Sequence, residues 1–224
     1  MSPAEERRYQ PLRPGRHRLP REFVINSQRD RLLDSMAECC LARGYDAVTV
    51  ADVVTRARVS RATFYELFKD KEDCFLAAYD AILAKFTTAG VTAYSRAELT
   101  WPQRVHSGIN ALLEFLAAEP AFAWMCIIEA PAAGPRAIER YAGAIRLISS
   151  FLEEGRRHSP NGDEIPARVP GALVGGLALM VAEQISEGKT ESLPDLVPDL
   201  VFAVLVPFIG RKAARAEAAS GPPA

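Results

Sequence analysis

Cysteine, histidine and long apolar runs are scarce in this sequence of 224 residues. Its four cysteines form no CxxC pair and its three histidines are far apart, so neither a disulfide framework nor a zinc motif is indicated. The longest apolar stretches, near residues 170–182 and 200–210, are shorter than the ~18 to 20 residues that cross a bilayer. The first 20 residues lack the apolar centre of a secretory signal. We therefore expect a cytoplasmic protein with no membrane contact and no cofactor, whose cysteines are small core residues, redox sensing by one thiol being the alternative.

Motifs of the common enzyme classes are also missing. The sequence has no GxSxG, Walker, GxGxxG or HExxH pattern and no clear cluster of carboxylates with histidine or cysteine, which argues against an enzyme. The net charge of −1 predicts no general affinity for polyanions. Residues 1–61, however, contain 12 Lys and Arg against 8 Asp and Glu, so basic charge is concentrated at the N-terminal end.

Apolar residues recur at helical spacing through almost the whole chain. From Ser27 to Arg43 they follow one helical face, with Ser27 as the predicted N-cap and Gly44 just beyond the end. No run shows the alternation of a strand. Further helical patterns cover residues 50–58, 60–68, 70–99, 101–118, 121–129, 135–157, 168–188 and 194–215. The sequence therefore predicts an all-α fold of about nine helices, with a three-helix N-terminal head and a larger helical body.

Two short helices joined by a tight turn form a helix-turn-helix arrangement, in which the second helix enters the major groove of DNA. Thr49 is placed to cap the first of these helices and Ser60 the second. Helical geometry turns Phe64, Leu67 and Phe68 inward, which leaves the opposite face of the second helix free.

The free face of the second helix predicts how DNA is contacted. Arg61 can reach guanine edges or phosphate, and Ala62 permits a close approach to a thymine methyl group. The hydroxyls of Thr63 and Tyr65 suit phosphate oxygens. Glu66 has two interpretations, an acceptor for cytosine or a solvated carboxylate. Because many helical hairpins never bind DNA, a helical protein-interaction module without DNA binding is the competing hypothesis.

The stretch over residues 44–80, GYDAVTVADVVTRARVSRATFYELFKDKEDCFLAAYD, closely resembles the N-terminal DNA-binding region of TetR-family transcriptional regulators. The resemblance implies that Tyr45 and Thr49 anchor phosphates and that residues 60–65 face the groove. It also implies that Lys71 holds a phosphate at a helix start, where the helix dipole favours an anion.

One position departs from the family pattern. Arg58 lies in the turn where the family usually has glycine, and a positive φ there would cost an arginine about 1 kcal/mol. Two explanations stay open at this point: the turn is reshaped, or Arg58 adds a contact to phosphate.

The resemblance further implies a homodimer formed by the last two helices and a pocket for a small-molecule effector inside the body. Small and apolar residues agree with the dimer as a set, whereas an ordinary core within the chain is the alternative for any one of them: Gly171, Val174, Gly175, Ala178, Leu200, Val201, Val204, Leu205 and Phe208. An ordinary core also explains each of the candidate pocket residues, which are Phe86, Tyr94, His106, Phe115, Trp124, Met125, Glu129, Tyr141 and Phe151.

Together these features predict a sequence-specific DNA-binding regulator, a repressor that a largely apolar small molecule releases from a palindromic operator. Residues 1–22 are expected to form a flexible basic arm, which either contacts DNA or is only a solvated tail. The predicted helix-turn-helix domain covers residues 23–70 and the ligand-binding and dimerisation domain covers residues 71–217. Residues 218–224 are expected to be a disordered tail.

Overall fold

The computed structural model describes residues 21–221 and 223, and within them the chain is all-α, as the sequence predicts. Its helices are α1 (Arg21–Arg43), α2 (Val50–Ala57), α3 (Arg61–Leu67), α4 (Lys71–Tyr94), α5 (Trp101–Ala118), α6 (Pro120–Ala123), α7 (Pro135–Glu153), α8 (Gly155–His158), α9 (Val169–Ser186) and α10 (Val197–Ala219). A π-helical segment, Trp124–Glu129, continues α6, and 3-10 turns cover Gly162–Glu164 and Thr190–Leu196. Because α8 follows α7 after one residue, the two count as one helix in the nine that were expected.

The head is formed by α1, α2, α3 and the first half of α4 around one hydrophobic cluster. Leu32, Phe64 and Phe75 are completely buried in it. Full burial of one such side chain contributes about 1.5 to 3 kcal/mol. The cluster therefore fixes the positions of the two short helices, α2 and α3, which are too short to be stable alone.

Two helix boundaries differ from the prediction. The helix α1 is already formed at Arg21, so Ser27 lies inside it and is not its N-cap, because nothing between these residues interrupts the helix. The helix α4 ends at Tyr94, short of residue 99, where the amide of Ser95 donates to the carbonyl of Val91 at 2.8 Å.

The body is built around α5, α9 and α10, whose apolar faces form a second cluster. Trp101, Leu200 and Phe208 are each at most 2% exposed. Gly155, at the start of α8, permits this packing, since a Cβ atom there would lie 2.4 Å from Trp101 Cζ2. The absence of a side chain at this position is therefore a packing requirement of the body.

The two ends of the chain bear on the predicted arm and tail. Residues 1–20, nearly all of the arm, lie outside the described residues. At the other end α10 continues to Ala219, with a kink at Gly210 (φ 78°, ψ 161°), a conformation that favours glycine. Beyond the kink the helix packs on α5, where Glu217 Oε1 lies 3.2 Å from His106 Nδ1.

Within the part of the chain that the structure describes, three helices are long and apolar enough, by length and hydropathy alone, to cross a membrane: residues 71–94, 169–186 and 190–219. The bent pair of residues 101–118 and 120–129 would make a fourth if it were one span. The expectation that every apolar stretch is too short is thus wrong, because uninterrupted runs were counted and the helices continue through small and isolated polar residues. In this fold these helices pack against one another as walls of the head and body.

Candidate nucleic-acid interface and internal cavity

Each helix of the helix-turn-helix is preceded by an N-cap residue with a short polar side chain. Thr49 and Asp52 form a reciprocal capping box at α2: Thr49 Oγ1 accepts the Asp52 amide at 3.3 Å, and the Asp52 carboxylate accepts the Thr49 amide at 2.9 Å. The bonds from Thr49 lower the pKa of the Asp52 carboxyl. At α3, Ser60 Oγ accepts the amide of Thr63 at 3.0 Å. Each cap contributes about 1 kcal/mol and sets where its helix starts.

Arg58 ends α2 in the left-handed conformation, with φ 53° and ψ 46°. Among the described residues it is the one non-glycine residue with a positive φ. The Val59 amide donates to the Val54 carbonyl at 3.1 Å, which closes the turn. A reshaped turn is therefore excluded: the geometry that favours glycine is kept, and arginine is strained there by about 1 kcal/mol. The side chain of Arg58 is exposed, where it can meet a phosphate.

The outer face of α3 carries the side chains that helical geometry predicts. Phe64 is fully buried and Phe68 is 4% exposed, whereas Tyr65 is 57% exposed. Such exposure is large for an aromatic side chain. Also exposed are Arg61, Ala62 and Glu66, with Thr63 half-buried beside them. The arrangement gives a short helix a polar face that fits the major groove.

Tyr45 and Lys71, both expected to hold phosphates, contact each other. Lys71 Nζ donates to the carbonyls of Tyr45 at 2.9 Å and Asp46 at 3.4 Å, and lies 4.3 Å from the centroid of the Tyr45 ring. The ring also packs on Phe75, and burial raises the pKa of the Tyr45 hydroxyl to about 12, so it stays protonated. The two carbonyls engage at most two of the three N–H groups of the Lys71 ammonium, so one N–H group remains for a phosphate. Phosphate binding by Tyr45 and Lys71 stays a prediction.

Glu129 reaches the head from the body. The amide of Tyr45 donates to Glu129 Oε2 at 2.9 Å, and Trp124 Nε1 donates to Glu129 Oε1 at 2.8 Å. Met125, in the same π-helical segment, is fully buried in the cluster of the head. These three residues, proposed from sequence as effector ligands, thus lie at the junction of head and body.

Two neighbouring cavities lie inside the body among α4, α5, α7 and α9. The larger has a volume of about 130 Å³ and the smaller about 70 Å³. Both have almost wholly apolar walls, and they share Phe86, Ile109, Leu112 and Ile148. Apolar walls of this kind suit an apolar ligand.

Five of the nine residues predicted for an effector pocket line a cavity. Phe86, Phe115 and Tyr141 line the larger cavity, and Phe86, Tyr94 and Phe151 the smaller one. His106 is instead buried against α10. The sequence missed the aliphatic walls, which include Ile82, Leu83, Ile127, Ile145 and Leu177. Aliphatic residues at helical spacing are the same signal for a cavity wall and for a filled core, so no feature of the sequence separates them.

The predicted dimer surface requires a correction. Six of its residues are at most 4% exposed and belong to the core of the body: Val174, Leu200, Val201, Val204, Leu205 and Phe208. Val174 lies on the inner side of α9. The other five lie on the side of α10 that packs on α5 and α9 of the same chain, which the apolar pattern alone could not show. Gly171 and Gly175 lie on the outer side of α9, where a Cβ atom at either glycine would meet nothing within 4 Å, whereas Ala178 lines the larger cavity. Leu179, 72% exposed, extends this surface.

The fold and the exposed α3 define a class of protein: a helix-turn-helix DNA-binding head on a helical body. Solved structures share the fold. The fatty acid degradation regulator FadR from Bacillus halodurans is 20% identical, with a TM-score of 0.72 over 80% of this chain and 94% of that one. The transcriptional regulator FadR from Bacillus subtilis, in complex with stearoyl-CoA, is 16% identical, with a TM-score of 0.67 over 78% and 96%. The regulatory protein TetR from Rhodobacter sphaeroides is 21% identical, with a TM-score of 0.56 over 82% and 95%.

Residues 32–78 match the family described as bacterial regulatory proteins, tetR family. This range contains α2, the turn at Arg58 and α3. The head therefore carries the DNA-binding region of this family, and the chain as a whole shares the fold of the solved regulators. The competing hypothesis of an interaction module without DNA binding is thereby disfavoured. No curated protein matches this chain in sequence.

Proposed function

We propose that the chain is a dimeric repressor that a largely apolar small molecule releases from a palindromic operator. The observation that carries the proposal is the combination, in one chain, of an exposed polar α3 with an apolar cavity of about 130 Å³ in the body. The first can read base edges and the second can receive an effector.

The surface of α9 supports a dimer. Only 22% of the most apolar 18-residue stretch of α9 is buried within the chain, compared with 39% of the corresponding stretches in residues 71–94 and 190–219. Gly171 and Gly175 let a second helix approach closely, and the exposed Leu179 and Met180 supply apolar contact. Covering such a surface by a second copy is favourable. A twofold axis also gives two copies of α3, which suits half-sites one or more turns apart, at roughly 34 to 36 Å per turn.

The cavities support an apolar effector of limited size. An engineered apolar cavity of about 150 Å³ takes one benzene ring, so the larger cavity holds roughly five carbon atoms and the smaller about three. An unbranched alkyl chain of roughly eight carbons would fill both. The Bacillus subtilis FadR, whose fold this chain shares, is described with stearoyl-CoA, which also carries an alkyl chain.

Selection of bound duplexes from a random pool tests the DNA half of the proposal. Purified full-length protein should enrich a palindrome, and its affinity should fall steeply as the salt concentration rises. Enrichment of a non-repeated site, or binding without sequence preference, would contradict a dimeric repressor.

Titration with straight-chain fatty acids tests the effector half. Acids of increasing length, from butanoic to octadecanoic, should bind with an optimum near octanoic acid, roughly the length that fills both cavities, and release the selected duplex. An acid that binds without affecting DNA affinity, or a complete lack of binding across the series, would contradict release by an apolar chain.

A further inference from the structure

The backbone of Tyr45 is held between two walls of the larger cavity. Its amide donates to Glu129 Oε2 at 2.9 Å, and its carbonyl accepts from Lys71 Nζ at 2.9 Å. Glu129 ends the π-helical segment, of which residues 126–127 line the cavity. Lys71 begins α4, which lines the same cavity about two to four turns further along. Two walls of one cavity therefore hydrogen-bond to the amide and to the carbonyl of a single residue.

The π-helical segment cannot move at the cavity without moving at the head. Both carboxylate oxygens of Glu129 are engaged, one by Tyr45 and the other by Trp124 Nε1. Met125 anchors the same segment in the hydrophobic cluster of the head. A π-turn holds one more residue per hydrogen bond than an α-helical turn, and such turns are frequent at functional sites. A change of register at the cavity would rotate Glu129 relative to Tyr45.

The turn that contains Tyr45 decides how α2 leaves α1. Gly44 ends α1 with φ 76°, and its amide donates to the carbonyl of Cys40 at 2.8 Å. Four residues after Tyr45, Thr49 caps α2. A displacement of the Tyr45 peptide is thus passed directly to α2 and, through the turn at Arg58, to α3.

We propose that Glu129 is the positioning residue that couples occupancy of the cavity to the DNA-binding head. A ligand that separates α4 from the π-helical segment draws Lys71 and Glu129 apart. One of the two bonds to Tyr45 then breaks, and α2 and α3 leave the orientation that fits the operator. The inference rests on the proposed function, because a ligand in the cavity starts the sequence of events.

The first test compares variants at Glu129 by fluorescence anisotropy with the selected duplex, with and without saturating octanoic acid. In the wild type the acid should weaken DNA binding by about 5- to 150-fold, the usual range of coupling between two sites. Glu129→Ala should still bind the acid, but the acid should change the DNA affinity of this variant by less than about twofold. Glu129→Gln keeps an acceptor oxygen without the charge and should restore part of the response. The matched control is Glu114→Ala, an exposed glutamate of α5, which should respond as the wild type does.

Hydrogen exchange of the peptide that contains residues 44–48 gives a second readout. Octanoic acid should increase exchange there in the wild type, because the Tyr45 amide loses its acceptor. In Glu129→Ala the exchange should be high from the start and unaffected by the acid. A residue that merely stabilised the fold would change the basal exchange without removing the response.

A cavity variant measured in the absence of ligand distinguishes failure of this inference from failure of the proposed function. Ala144→Phe places a ring into the larger cavity, so it should weaken operator binding and increase exchange at residues 44–48. In a protein that already carries Glu129→Ala, the Ala144→Phe substitution should change neither operator binding nor exchange at residues 44–48 any further. If the fatty acids do not bind, the proposed effector class is wrong. The comparison of Ala144→Phe with and without Glu129→Ala still tests the role of Glu129. Release of DNA with unchanged exchange at residues 44–48, or a full response in Glu129→Ala, would overturn the inference.

Discussion

The Tyr94 hydroxyl donates to Glu154 Oε2 at 2.6 Å and so joins α4 to the end of α7 beside the smaller cavity. Arg104 donates to the other carboxylate oxygen, and its guanidinium carbon lies 5.0 Å from the centroid of the Tyr94 ring. These bonds, that of Tyr94 first, lower the pKa of Glu154 from 4.5 to about 2. Burial raises the pKa of the Tyr94 hydroxyl, which stays protonated as the donor.

The lowered pKa of Glu154 predicts a pH dependence of stability. A carboxyl whose pKa is lower in the folded state stabilises the fold above its unfolded pKa, and this contribution is lost as the pH falls through the folded value. For Glu154 the loss should therefore occur between pH 4.5 and about pH 2. Urea unfolding should show a difference between wild type and Glu154→Gln that is largest near neutral pH and shrinks across this window. Parallel pH curves for the two proteins would refute the assignment, and Glu114→Gln is the exposed control.

The strain at Arg58 can be separated from its charge. Arg58→Gly removes both and should raise the free energy of unfolding by about 1 kcal/mol. Arg58→Ala removes only the charge, so its stability should stay near that of the wild type. If the side chain meets a phosphate, both variants should bind DNA more weakly and reduce the salt slope by about one. Equal melting temperatures for the glycine and alanine variants would show that the turn is unstrained.

Substitutions on α3 should separate positioning from base reading. Tyr65→Phe loses only an exposed hydroxyl and should weaken binding to all sequences alike. Arg61→Ala should cost about 1 to 3 kcal/mol at one base position and relax the preference there. Anisotropy with the selected duplex and with single-base variants distinguishes the two patterns. Lys85→Ala, an exposed position in the body, is the control, and unchanged binding in both α3 variants would place the interface elsewhere.

A charge on the outer side of α9 should separate the two copies. Leu179 is 72% exposed, so Leu179→Glu disturbs nothing within one chain and should give monomers by light scattering with unchanged helical circular dichroism. Leu41→Glu, at an exposed position of α1, is the matched control and should leave the dimer intact. A dimer that persists in Leu179→Glu would move the interface away from α9.

Leu112 stands between the two cavities and should influence which chain lengths bind. Its side chain lines both, and a Cβ atom at Gly90 would lie 2.7 Å from Leu112 Cδ2. Leu112→Ala should join the cavities and shift the optimum of the fatty acid series to longer chains. Gly90→Ala should push Leu112 into the space and shift the optimum to shorter chains. Calorimetric titration measures both, with Ile138→Ala, outside the cavities, as control; an unmoved optimum would show that the chain does not pass Leu112.

Much of the head follows from local sequence. The caps at Thr49, Ser60 and Asp70, the left-handed Gly44 and the inward Phe64 were all predictable, because capping and helical periodicity act within a few residues. The exposed face of α3 follows from the same periodicity.

The body shows where prediction from the sequence stops. The apolar residues of α10 and of α9 carry the same pattern, yet Leu205 is fully buried and Leu179 is 72% exposed. Periodicity gives an apolar face to each helix but does not say which helix of the same chain covers it.

The sequence by itself determined the helical class, the helix-turn-helix and the side chains exposed on the outer face of α3, since these depend on contacts between near neighbours. Only the tertiary structure decided which apolar positions line a cavity, which remain for a partner, and that Glu129 reaches Tyr45 across 84 positions of the chain. The physical reason is that burial and long-range hydrogen bonds depend on how whole helices pack, and apolar side chains of similar size fit several packings equally well.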